Sequence, residues 1–77
     1  MSAAPTEDPI AMERRHILEG EKRIARQEVL LAELVRKGRS ELALTADDLL
    51  CIFRDFVAIS KERLRTLEQE HQRKPPD

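Results

Sequence analysis

Arg36-Lys37-Gly38-Arg39-Ser40 is the stretch on which the fold turns. Gly38 is the residue type that accepts the left-handed conformation closing many α-helices, and the two cations before it suit the negative end of a helix dipole. Upstream, Pro9 to Lys37 contains no second proline and a single glycine, Gly20, so the pattern predicts one helix of about 43 Å over residues 9–37. Asp8-Pro9 marks its start. Proline at the first helical position gives up an N–H that would be unpaired anyway, and Asp8 offers an acceptor to the next free donors.

Downstream of Gly38 a second helix begins either at Ser40 or at Thr45, where Asp48 three residues on makes a variant capping box. Phase favours Ser40. At about 100° per residue, Leu42, Ala46, Leu49, Leu50, Phe53, Phe56, Val57, Ser60, Leu64 and Leu67 form one stripe, and Leu42 and Ala46 are already in step with it. The helix runs to about Gln72, ahead of Pro75. Two long helices joined by two or three residues make an antiparallel αα-hairpin, an all-α fold.

The first helix carries a stripe of Ile10, Ile17, Leu18, Ile24, Ala25, Leu31, Ala32, Leu34 and Val35. Ile10, Ile17, Ile24 and Leu31 recur every seven residues, the period of a left-handed coiled coil. Arg14, Glu21 and Glu28 fall within this stripe, also seven apart. A charge in a seam needs a partner or a route to water. Facing positions put Glu21 near Val57 and Glu28 near Leu50, so these charges are expected to snorkel at the seam edge, with Glu28 leaning toward Arg54 as the one cross-helix pairing in view.

Composition narrows function. The chain has 77 residues, 14 Lys+Arg against 15 Asp+Glu, two Phe, no Tyr or Trp, and Cys51 as its single cysteine. That is one small domain, with little room for an enclosed pocket of several hundred Å³. One cysteine excludes an intramolecular disulfide framework. No basic and apolar leader opens the sequence and no apolar run approaches membrane length, so a cytoplasmic protein with no membrane span is expected. Residues 1–8 and 73–77 read as disordered tails flanking a hairpin over 9–72.

His16, the run Arg23-Ile24-Ala25-Arg26-Gln27, and Leu49-Leu50 followed by Phe53 resemble small bacterial helical-hairpin proteins of unknown function. The resemblance covers roughly residues 16–67. It implies the hairpin fold and a cytoplasmic setting, and it implies no activity, cofactor or partner.

A two-helix hairpin buries one seam, and chains this short seldom bury enough to offset the entropy of ordering. A homodimer forming a four-helix bundle is therefore expected, with Ile52, Phe53, Phe56, Ile59 and Leu64 as the self-association residues. Leu30, Leu44 and Cys51, on the far side, are candidates for a partner surface. Glu-x-x-His occurs at Glu13–His16 and at Glu68–His71, a spacing that aims two metal ligands at one point in carboxylate-bridged bundles. With Glu21 and Glu28 it supplies an alternative reading, a metal-handling assembly. Surface pairing of Glu13 with His16 and of Glu68 with His71 is the expectation, because His16 and His71 stand about 13 Å apart along the hairpin axis. A weak nucleic-acid regulator using Lys22, Arg23, Arg26, Arg36, Lys37 and Arg39 is a further alternative; near-neutral charge and the lack of interleaved aromatics weigh against it. Cys51 has no neighbouring base, Ser40 and Thr45 read as caps and Ser60 as a seam residue, and no glycine-rich phosphate loop exists. A non-enzyme without a cofactor is expected.

Overall fold

The computed structural model describes residues 8–73; of the two expected tails, all but Asp8 and Arg73 lie outside that range. Helix α1 spans Pro9–Arg36 and helix α2 spans Ser40–Arg73, and the two pack against each other as a hairpin. Arg73 belongs to α2 rather than to a tail.

Backbone chemistry explains both ends of α1. Asp8 takes an extended conformation and its carbonyl accepts from the Met12 N–H at 2.9 Å, but its carboxylate makes no capping bond, contrary to expectation. Pro9 has already removed one donor, and backbone conformation alone defines the start. At the other end Gly38 has φ of 71°. The Gly38 N–H donates to Val35 O at 3.1 Å and the Arg39 N–H to Leu34 O at 2.9 Å, the paired bonds of a Schellman motif. Arg39 is also where α2 begins, since its carbonyl accepts from Ala43 N–H at 2.8 Å. Ser40 is thus the first helical residue rather than a side-chain cap. Thr45 lies inside α2, its hydroxyl donating back to Glu41 O at 3.3 Å.

The seam between the helices follows a strict alternation of three- and four-residue steps. On α1 it runs Ile10, Glu13, Ile17, Gly20, Ile24, Gln27, Leu31, Leu34; on α2 it runs Ala43, Ala46, Leu50, Phe53, Val57, Ser60, Leu64, Leu67. Every one of these residues is buried or half-buried. Leu50, at 2 % exposure, is the most enclosed apolar residue. The expected α1 stripe needs correcting, because Leu18, Ala25, Ala32 and Val35 face solvent while Glu13, Gly20 and Gln27 occupy the seam. The seven-residue repeat of Ile10, Ile17, Ile24 and Leu31 requires companions three residues farther on, and three of those four are not apolar.

Each of the three has a physical reason to be there. Gly20 lies against Val57 so closely that a β-carbon on it would stand 2.5 Å from Val57 Cγ2. Gln27 donates its Nε2 to the Ala46 carbonyl at 2.9 Å, tying α1 to the small residues at the start of α2. Glu13 is 8 % exposed, and its Oε1 has no hydrogen-bond partner among the described residues. His16 Nδ1, at 3.9 Å, is beyond hydrogen-bonding distance.

Two stability predictions follow from this seam. Gly20→Ala improves helix propensity by about 1 kcal/mol but forces the stiff, β-branched Val57 aside, at a cost of about 1–3 kcal/mol. The expected result is net destabilisation in denaturant unfolding, relieved when Val57→Ala is added; additive effects of the two substitutions would contradict the contact. Glu13→Leu replaces a buried carboxylate whose Oε1 lacks a hydrogen-bond partner among the described residues with a side chain of seam type and is expected to stabilise the hairpin by about 1–3 kcal/mol. A lower melting temperature for this variant would show that Glu13 is satisfied in solution.

Candidate association face

The Gly20–Val57 approach fixes the register of the two helices and thereby makes the two long sides of the hairpin chemically different. On one side stand Arg14, Glu21 and Glu28, spaced by sevens, and across from them Glu68, Lys61 and Arg54, spaced by sevens in reverse. They form three cross-helix ion pairs: Arg14 Nη2 to Glu68 Oε2 at 2.9 Å, Lys61 Nζ to Glu21 Oε2 at 3.3 Å, and Arg54 Nη2 to Glu28 Oε2 at 2.8 Å. The sequence reading anticipated only the last of these. Facing arithmetic compares residues at the same level, whereas long side chains at the seam edge reach partners about one turn away. Each pair is half-exposed, which limits it to at most about 1 kcal/mol, so the ladder acts chiefly on register.

The other side carries no comparable ladder among the described residues. Here α2 presents Leu42, Leu49 and Phe56, each one residue ahead of a buried seam residue and so rotated by about 100° from it. Ile52 and Ile59 complete the pattern. Together with Thr45, Arg63 and Thr66 these residues repeat at alternating steps of three and four, a second heptad seam beside the first. They are well exposed, from 41 % for Leu49 to 62 % for Phe56.

Helix α1 borders this face with Leu30 near the turn and with Arg23 and His16 farther along. Leu30, Leu42 and Leu49 line a shallow apolar groove of about 270 Å³. The Arg23 guanidinium lies 5.6 Å from the centre of the Phe53 ring, a cation–π contact roofing the inner seam. Next to it a groove of about 260 Å³, also lined by Gly20, runs between His16 and Phe56.

The sequence candidates for self-association therefore divide. Ile52, Phe56 and Ile59 lie on the outer face, whereas Phe53 and Leu64 are half-buried in the inner seam and belong to the hairpin itself. Leu42, Leu49 and Phe56 were placed in the inner stripe by the sequence reading, yet the structure exposes all three. Spacing alone does not separate Leu42 and Leu49 from the inner set, because each stands four residues before an inner-seam residue, Ala46 and Phe53, and three before an outer one, Thr45 and Ile52. The proposed partner-surface residues also divide, with Leu30 on the outer-seam side and Leu44 and Cys51 exposed on the back of α2.

The metal-ligand candidates do not converge. Glu13 is buried beside the exposed His16 instead of forming a surface pair. Glu68 is held by Arg14, Glu21 by Lys61 and Glu28 by Arg54, while His71 sits exposed near the end of α2. Among the described residues no three His, Cys, Asp or Glu side chains come together as metal ligands would. Two of the six basic residues considered for nucleic acid are engaged within the hairpin, Arg23 with Phe53 and Arg36 with Glu33. On the solvent side of α2, the Arg65 guanidinium donates to Glu62 at 2.6 Å and holds that carboxyl below its ordinary range. No described helix is long and apolar enough to cross a membrane.

No family model, curated protein or solved structure matches the chain, and the functional reading rests on the faces of the hairpin.

Proposed function

We propose that the protein is a small non-catalytic helical interaction module that self-associates through the outer face of α2, two hairpins making a four-helix bundle. The observation that carries this reading is the second heptad seam of Leu42, Leu49, Ile52, Phe56 and Ile59. Scattered apolar residues on a surface need no explanation, but five large ones at coiled-coil spacing along one helix form a contiguous patch. Such a patch suits another helix. The small inner core supports the same reading, since residues such as Ala43, Ala46, Gly20 and Ser60 bring the helices close while burying little apolar area. Leu44 and Cys51, on the back of α2, are left as the surface for a different protein partner.

Sedimentation velocity at micromolar concentration tests this reading. The 8.9 kDa chain is expected at twice its monomer mass or more, and Phe56→Asp is expected to shift it to the monomer, because the substitution places a charge on the outer seam without touching the inner one. A wild-type monomer across the concentration range contradicts self-association. An undiminished oligomer of the Phe56→Asp variant contradicts the face.

A further inference from the structure

Resting on the self-association reading, we infer that the second copy docks with its α2 antiparallel to the first, about a two-fold axis level with Arg54. The outer seam is self-complementary about that point. An axis there sets Ile52 of one copy opposite Phe56 of the other and Leu49 opposite Ile59, and the two-fold repeats both layers. Four all-apolar layers thus occupy the middle of the contact. Toward the ends Thr45 meets Arg63 and Leu42 meets Thr66, so the layers become polar where water has access. The axis also lies near the middle of α2, Ser40–Arg73, and most of both helices overlap.

Charge favours this direction over a parallel one. The early part of α2 is acidic, with Glu41, Asp47 and Asp48, and Lys61, Arg63 and Arg65 come later. Antiparallel packing brings Arg63 of one copy beside Asp48 of the other, and it opposes the two helix dipoles. Parallel packing would align Arg63 with Arg63. Like-charged approaches in the antiparallel arrangement are between the two Asp55 side chains, between Asp48 of each copy and Glu62 of the other, and between the two Arg23 level with the axis. All are exposed to water, and Glu62 is already paired with Arg65.

The same geometry places the first helices. The inner and outer seams of α2 are offset by one residue, about 100° around the helix, close to the right angle at the corner of a square bundle. A two-fold axis perpendicular to the helices leaves both α1 helices on the same side of the α2 pair, antiparallel to each other. Level with Arg54 on α2 is Arg23 on α1, given the register set by Gly20 and Val57. Glu19 of each copy then stands within about one residue's rise of Arg26 of the other, a complementary pair that nothing within a single hairpin requires.

Cysteine cross-linking reads this arrangement directly. In a Cys51→Ser background, Thr45→Cys combined with Arg63→Cys leaves every large apolar residue of the face in place. On oxidation the double variant is expected to convert from an 8.9 kDa chain to a covalent species of twice that mass, whereas either single variant is expected to remain uncross-linked. The pair Leu42→Cys and Thr66→Cys, one layer farther out, is expected to give the same pattern. Cross-linking of Thr45→Cys alone overturns the antiparallel direction. Failure of both double variants, while sedimentation of the same reduced proteins still shows the dimer, overturns the position of the axis. A protein that sediments only as a monomer overturns the self-association reading itself, so the two failures are distinguishable.

Discussion

The contact of Gly20 with Val57 is the constraint on which the hairpin depends. A side chain at position 20 would have to displace Val57, because a β-carbon there would stand 2.5 Å from Val57 Cγ2. Once Gly20 seats against the Val57 side chain, the heptad steps of both helices set every other level. Gln27 comes within reach of the Ala46 carbonyl, and the Arg14, Glu21 and Glu28 series comes within reach of Glu68, Lys61 and Arg54. The close approach and the ion pairs specify the same register by independent physics, one steric and one electrostatic. Agreement between levels of this kind separates one packing from its slipped neighbours.

That register has a chemical consequence across the width of the hairpin. The ladder side is finished, because its charged groups are neutralised and remain hydrated. The opposite side is apolar on α2 and mixed on α1, and an apolar helical stripe facing water stays without the burial that elsewhere stabilises such a stripe. The seam residues give the reason for the imbalance. Glycine, alanine and serine at the closest contacts trade buried area for proximity, so α1 covers a narrow strip of α2 and leaves the adjacent strip of Leu42, Leu49, Phe56, Ile52 and Ile59 in solvent.

Much of the fold was legible in the sequence. Gly38 after two cations, Pro9 after Asp8, and the phase of Leu42 and Ala46 placed both helices within a residue of their observed bounds. The composition of the seam was harder to read, because the rule that finds it counts apolar residues. Glu13, Gly20 and Gln27 lie in the seam for reasons of space and hydrogen bonding that an apolarity count does not register, and Leu18 and Val35 satisfied the count while pointing outward. The outer face was half legible. Ile52, Phe56 and Ile59 could be assigned to association, but Leu42 and Leu49 could not be separated from the inner stripe until the structure showed that α2 carries two seams one residue apart. A single broad stripe and two adjacent narrow ones look alike at 100° per residue; only the width of the partner helix tells them apart.

This distinction bears on how the chain would remain folded. A hairpin with one narrow seam, whose most enclosed side chains are Ala46, Leu50 and Val57, starts with little hydrophobic stabilisation to set against the ordering of two long helices. Its exposed ion pairs contribute little. Covering the outer seam with a second copy would bury Phe56, Ile52, Ile59 and Leu49 as well, adding apolar burial at an intermolecular contact to that of the inner seam. Folding and association would then be linked by mass action, and the stability of each chain would rise with protein concentration. The narrow inner seam would hold α1 and α2 in one register, and the outer seam would add burial that the hairpin alone lacks. On that reading, the exposed leucines and phenylalanine of α2 would be apolar surface that a second copy covers.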